Sequence, residues 1–319
     1  MNVEGFRADV LSGPAALRAM ADSYAGPGSP LEGLPRERLA GQRLLFSGMG
    51  SSKYAADTVV ALLRSRGIDA HAELASTTAG QPPATDTVMF AISASGTSEE
   101  TIEAMHRHLG TSLVVGVTNR APSPLADSVD VVLPVLAGEE AGGIACKSYQ
   151  CTLGALLAAT GLAAAADLRA AADASQALIA SRDRWLPALA DRADGALGVW
   201  VAAPAERFGA AEQSSLMLRE APRIVSAACE TGDWLHVDVY LTKRPRYVLL
   251  LLAGSRYDGE VMGWQRQRGF DVVSVGHPPV DGAALAIDYP GSDRPLVAAL
   301  VETAVAELLA AELWERHPI

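Results

Sequence analysis

Four hydroxyl side chains lie within six residues at Ser93, Ser95, Thr97 and Ser98, with a single glycine, Gly96, among them. The apolar run Val88-Met89-Phe90-Ala91-Ile92 ends where they begin, and Glu99-Glu100-Thr101-Ile102 reads as the start of a helix. Two readings fit. Ser and Thr suit a turn and an N-cap. They also suit a loop that holds an anion, because a helix N-terminus presents free N–H groups and a partial positive charge. A second loop repeats the theme: Met49-Gly50-Ser51-Ser52 follows the apolar Leu44-Leu45-Phe46. Two such loops at neighbouring strand ends, with Ser51 and Ser52 added to the first set, point to a bound phosphate.

Other phosphate signatures are absent. A dinucleotide fingerprint needs glycine where Lys53 stands, and GxxxxGK[ST] does not occur; the GxSxG elbow of a serine nucleophile is absent as well. Glu73 falls near the acidic position of that fingerprint, so the match is partial. Further along, Glu220 closes a helical stretch that Pro222 ends or kinks, and a loop follows with Glu230, Gly232, Asp233, Trp234 and His236. Glu220 and His236 have the types for a general base and acid. A solvated glutamate and a hydrogen-bonded surface histidine are the plainer reading.

The elements that must position these residues form a repeating pattern. Apolar segments at 43–46, 68–74, 88–92, 113–117 and 129–133 alternate with helical stretches at 53–66, 99–109 and 145–165. The order recurs, with strands at 198–202, 247–252, 270–275 and 286–289 and helices at 166–193, 208–219, 257–268 and 295–314. Near-continuous apolar strands between helices predict parallel sheets covered on both faces. The recurrence predicts a duplicated unit of about 125 residues. The expected division is a helical segment over 1–40, a phosphate-binding domain over 41–170 and a second domain over 171–319. In the first segment Ser12 reads as a cap and Pro14 as a first-turn residue. The second copy lacks the serine loops: its equivalents read APAERFG and AGSRYDGE.

Composition narrows the partners. The 319 residues are 49% hydrophobic and carry a net charge of −11. An acidic chain does not advertise nucleic-acid or anionic-membrane binding. No leader and no membrane-length apolar run is visible, and a cytoplasmic location is expected. Cys146, Cys151 and Cys229 fit no zinc spacing and are expected to be buried and reduced. No metal is expected at His106 and His108. Lys147 reads as facing substrate or forming an ion pair, Trp234 as lining a pocket or anchoring an interface, and Arg223 and Lys243 as candidates for a second anionic group.

Taken together, these residues resemble a known family. The chain is similar to the double SIS (sugar isomerase) domain proteins: the isomerase half of glutamine–fructose-6-phosphate aminotransferase and the fructosamine-6-phosphate deglycases. The family's SQSGET loop appears as Ser93-Ala94-Ser95-Gly96-Thr97-Ser98, and its CGTS turn as Met49-Gly50-Ser51-Ser52. Glu73 in ELAS, Glu140 and Lys147 after Ala137-Gly138, Glu220 in LMLRE and His236 in GDWLHVD match further motifs.

The resemblance implies two tandem flavodoxin-like SIS domains, each a parallel sheet flanked by helices. It implies a sugar-phosphate substrate held by Ser51, Ser52, Ser93, Ser95, Gly96, Thr97 and Ser98, with Gly50, Glu73, Glu140, Lys147 and Trp234 nearby. Glu220 would move a proton between C1 and C2 while His236 assists ring opening or protonates a leaving group. It further implies a homodimer with the active site at the interface, and no cofactor. Met1-Asn2 offers no N-terminal nucleophilic cysteine, LWERHPI no Schiff-base lysine, and Met217 stands where the synthase has a lysine. These departures direct the expectation to isomerisation, deamination or deglycation without glutamine. A non-catalytic phosphosugar-binding regulator is the alternative.

Overall fold

The computed structural model of the chain describes residues 1–39 and 41–318. Tertiary contacts divide it into two units. An N-proximal unit holds Ala15–Glu139 and Lys147–Arg169, and a C-proximal unit holds Met1–Pro14, Glu140–Cys146 and Ala170–Ile319.

Helix α1 (Val3–Ala25) gives residues to both units. It begins nine residues before the Ser12 cap read from sequence and runs straight through Pro14. Its buried side chains, Phe6, Val10, Leu17, Met20 and Tyr24, explain why. Their helical spacing on both sides of Pro14 outweighs one missing backbone hydrogen bond.

The N-proximal unit continues with α2 (Arg36–Leu39), β1 (Arg43–Gly48), α3 (Ser51–Ser65), β2 (Ala70–Leu74), β3 (Thr87–Ile92), α4 (Glu99–His106), β4 (Leu113–Thr118), β5 (Val131–Pro134) and α5 (Lys147–Ala159). Its sheet is wholly parallel, in the order β2-β1-β3-β4-β5. Strands β3 and β4 are buried at every position, as a sheet covered on both faces requires. Phe46 and Phe90 are register partners and stack with centroids 4.7 Å apart and planes 6° from parallel. The same register sets Gly48 opposite Ile92. A side chain at Gly48 would put its Cβ 2.9 Å from Ser52 Cβ and 3.1 Å from the Ile92 carbonyl. Glycine there lets the start of α3 close onto the end of β3.

After α6 (Ala165–Ala180) the C-proximal unit contains α7 (Leu186–Ala193), β6 (Gly198–Ala203), α8 (Phe208–Glu220), β7 (Ser226–Glu230), α9 (Thr231–Trp234), β8 (Tyr247–Leu252), α10 (Asp258–Arg268), β9 (Asp271–Val275), β10 (Leu285–Ile287), α11 (Pro295–Val301) and α12 (Thr303–Arg316). Its sheet runs β10-β9-β8-β6-β7, also wholly parallel. Counted within each unit, both sheets have strand order 2-1-3-4-5, so the recurrence in the sequence is a recurrence of topology. Strand β7 lies in the stretch read as a loop. It pairs with β6 along its length, and Ser226 Oγ donates to the Val199 carbonyl at 2.7 Å.

All three cysteines are buried free thiols. Among the described residues no helix is long and apolar enough to cross a membrane. Replacing Phe90 with Ala removes the stacked partner at the centre of the β1–β3 seam. It is expected to cost about 3–5 kcal/mol, read as a lower denaturant midpoint at unchanged m-value. A loss below ~1 kcal/mol would show that the stack does not hold the seam.

Candidate functional site

In a 2-1-3-4-5 sheet the ligand crevice opens beyond the carboxyl ends of the first and third strands, where the strand order reverses. In the N-proximal unit these are β1 and β3, and their exits are Met49–Ser52 and Ser93–Ser98. The structure therefore brings the two hydroxyl-rich loops side by side.

The second loop is tightly organised. Ser93 Oγ lies 3.4 Å from Ser95 Oγ, which lies 2.9 Å from Thr97 Oγ1. Ser95 Oγ accepts the Thr97 N–H at 3.2 Å, and Ser93 Oγ accepts the Ser98 N–H at 3.4 Å. Ser93 is buried while Ser95 and Thr97 are exposed, so the row runs from the sheet edge to solvent. Ser98 occupies the N-cap of α4 without making a side-chain cap bond. Its hydroxyl instead donates to Glu100 Oε2 at 3.1 Å and accepts from Thr101. The plain capping role is thus not what this serine does, and its hydroxyl must turn from Glu100 to meet an anion.

Gly96 makes the loop possible. Its φ is +69°, and an added Cβ would sit 2.2 Å from Ser123 Oγ. Beneath the loop, the Ala94 carbonyl accepts Asn119 N–H at 3.0 Å and the Thr118 hydroxyl at 3.4 Å. The Asn119 side chain donates to the Gly138 carbonyl at 2.6 Å and accepts Ala137 N–H at 2.8 Å. Thr118, Asn119 and Ser123 are supports that sequence reading did not single out. Their one sequence signal is position, at and just beyond the end of β4.

At the neighbouring exit Gly50 precedes α3 with φ +49°, and α3 begins with Ser51 and Ser52, both half-buried. Lys53 pairs with Asp57 at 2.6 Å on the same helix. Glu73, on β2 opposite Ser47, accepts the Gln81 N–H at 3.0 Å and so ties down the loop between β2 and β3.

The remaining candidates lie in other parts of the chain. Lys147 is the first residue of α5, half-buried, in the N-proximal unit. Glu220 ends α8 in the C-proximal unit, and the segment Glu140–Cys146 belongs to that unit as well. Gln213 of α8 donates to the Ala145 carbonyl at 2.7 Å, Gly142 N–H donates to Asp9 at 2.7 Å, and Glu140 Oε1 accepts the Cys146 N–H at 2.7 Å. This packing brings the Glu140 carboxylate within range of Glu220. Burial first, and the Glu140 charge second, raise the Glu220 pKa above its ordinary value. Glu307 of α12 is buried, and burial followed by the Glu140 charge pushes it up to about 8.

His236 is exposed one residue beyond Leu235, the C-cap of α9. Trp234 is corrected by the structure. It is fully buried, donates to Tyr247 Oη at 2.9 Å and tilts against Phe270 at 5.8 Å, so it is core rather than pocket wall.

In the second sheet the equivalent crevice lies between the exits of β6 and β8. Arg207 fills it. Its guanidinium donates to the Ala253 carbonyl and to Glu302, which has no exposed surface. An internal ion pair stands where the first sheet has its hydroxyl row.

Residues 40–161 match the SIS domain family. The chain is 36% identical over 146 residues to glutamine–fructose-6-phosphate aminotransferase [isomerizing] of Aeropyrum pernix, a match covering 44% of this chain and 21% of that protein. The chain thus spans about a fifth of the length of the curated relative it matches. In fold it is similar to tagatose-6-phosphate ketose/aldose isomerase of Escherichia coli, with TM-score 0.85, 16% identity and coverage of 98% and 93% of the two chains. It is also similar to glucosamine-6-phosphate deaminase of Thermotoga maritima, with TM-score 0.77, 18% identity and coverage of 99% and 95%.

Gly96→Ala forces a left-handed residue to carry a Cβ into Ser123. It is expected to cost about 2 kcal/mol or more, whereas Ser95→Ala, at an exposed hydroxyl, stays within about 0.5 kcal/mol. Thermal unfolding of the two variants checks both, and a neutral Gly96→Ala would show the loop to be loosely held.

Proposed function

We propose that the protein is a phosphosugar-processing enzyme of the double SIS type, a ketose/aldose or amino-sugar-phosphate isomerase, deaminase or deglycase. The observation that carries this reading is the hydroxyl row Ser93-Ser95-Thr97 set at the sheet's switch point, beside Ser51 and Ser52, with the N-termini of α3 and α4 behind it. That arrangement supplies hydrogen-bond donors and helix partial charge to a dianion. The sugar phosphate is held by its phosphate on Ser51, Ser52, Ser93, Ser95, Gly96, Thr97 and Ser98. Gly50, Glu73, Glu140 and Lys147 are proposed to act around it.

Glu220 acts as the base. It takes the proton from C2 or C1 of the open-chain sugar and returns it to the neighbouring carbon, through an enediol-type species. A carboxylate whose pKa is raised binds that proton more readily than an ordinary glutamate does. His236 opens the ring or protonates the leaving group. Its exposed position on a short turn suits a residue offered to a second copy of the chain, and the active form is proposed to be a homodimer. The reaction needs no cofactor, and the protein works in the cytoplasm without nucleic-acid or membrane partners. The two solved structures similar in fold, a ketose/aldose isomerase and a deaminase of sugar phosphates, are compatible with one base serving either outcome.

Glu220→Gln is expected to retain sugar-phosphate binding and to lose about 10²–10⁴-fold in turnover. The wild-type rate should rise with pH along an acid limb above the ordinary glutamate range, because Glu220 must be ionised to accept the proton. Solvent-deuterium incorporation at C1 or C2 reads the step directly. Full activity in the variant would remove Glu220 from the mechanism. Tight binding with no turnover of any sugar phosphate by the wild type would make the chain a phosphosugar sensor instead.

A further inference from the structure

The C-proximal unit has a polar cavity at the end of its sheet opposite the loops that leave β6 and β8. Thr242–Tyr247 leads into β8 and Arg268–Asp271 leads into β9, and these two segments line a cavity of about 550 Å³. That volume lies in the range of small-molecule sites, roughly 300–1,000 Å³. None of the serine-loop residues lines it.

The lining is strongly cationic in a chain where 37 acidic residues outnumber 26 basic ones. Lys243, Arg244, Arg246 and Arg268 face one carboxylate, Asp271, which lies 4.0 Å from Arg192. Two of the cations are fixed. Arg268 donates to the Val239 carbonyl and, at 2.7 Å, to Thr242 Oγ1, and its guanidinium lies over the Trp264 ring at 4.1 Å. Arg246 donates to the Asp194 carbonyl, and its backbone is held at φ +58°, where a non-glycine residue is uncommon and strained. The other two are unspent: the exposed side chains of Lys243 and Arg244 make no hydrogen bond or ion pair among the described residues. Anchored guanidinium groups beside free cations form an electrostatic site already shaped for an anion.

We propose that this cavity binds a small molecule through a diphosphate group, at a site separate from the sugar-phosphate loops. The charge balance selects the class. Lys243, Arg244, Arg246 and Arg268 against Asp271 give the lining a net charge of +3. A single phosphate carries about −2 at neutral pH and leaves part of it unmatched, whereas a terminal diphosphate group carries about −3 and balances it. Arg246 and Arg268 grip from fixed positions, and Lys243 and Arg244 close from the solvent side.

The test is calorimetric titration of the full chain with inorganic pyrophosphate at constant ionic strength, with orthophosphate as the comparison. Saturable pyrophosphate binding is expected, with orthophosphate weaker by about tenfold or more. The double variant Lys243→Glu with Arg244→Glu should weaken pyrophosphate by about tenfold or more. Both sites are exposed, so its thermal midpoint should stay close to wild type. Ser93→Ala with Ser95→Ala should leave pyrophosphate binding unchanged. The proposal is overturned by absence of saturable binding, by equal affinity for orthophosphate, by binding that survives the charge reversals, or by binding lost with the serines. The orthophosphate comparison and the charge reversals are read in the Ser93→Ala with Ser95→Ala background, so that phosphate held by the serine loops is not counted at this cavity.

Discussion

The register of β1 on β3 is the constraint on which the candidate site depends. Phe46 stacked on Phe90 fixes that register two residues before the strands end, and it therefore fixes where Gly48 and Ile92 hand over to their loops. Stacked aromatics in a buried seam resist sliding, because a shift of one residue would turn every side chain to the opposite face. Gly48 then lets the first turn of α3 approach the end of β3 at a distance no side chain would permit. A rigid seam and one missing Cβ convert two separately weak loop sequences into a single hydroxyl-lined crevice.

The second sheet shows the same topology put to another use. Its strand order is identical, so its switch point offers the same crevice, yet Arg207 and Glu302 fill it with an ion pair. A buried pair of this kind loses hydration on both sides and is held by the geometry around it. The unit whose switch point is filled by this ion pair carries Glu220, with Glu140 placed beside it by the Glu140–Cys146 segment. In the proposed function the first unit supplies the phosphate contacts and the second supplies Glu220.

Much of this was readable from residue types. Fully apolar strands such as Tyr247–Leu252 and the hydroxyl loops at 49–52 and 93–98 announce themselves, because a buried parallel strand and a strand-to-helix exit each have a local signature. What stayed hidden depends on tertiary partners. Strand β7, Ser226–Glu230, has two alanines at its centre and no β-branched residue; pairing with β6 makes it a strand. Pro14 reads as a helix start, and only the burial of side chains on both sides of it shows that the helix continues. Trp234 beside His236 suggests a pocket wall, but its indole N–H finds Tyr247 in the core. Glu140 falls with the first repeat in sequence, yet its segment Glu140–Cys146 belongs to the other unit and accepts Gln213 of α8 at the Ala145 carbonyl.

The central claim is that the serine loops hold the phosphate of a sugar phosphate. Thermal unfolding with fructose 6-phosphate, free fructose and no ligand, for the wild type and for Ser93→Ala with Ser95→Ala, tests it most directly. A ligand at a hundred times its dissociation constant stabilises the native state by about 2.7 kcal/mol. The account predicts a raised midpoint with the phosphorylated sugar only, and loss of that rise in the double variant. An equal rise with free fructose, or a rise that survives loss of both serines, would contradict it.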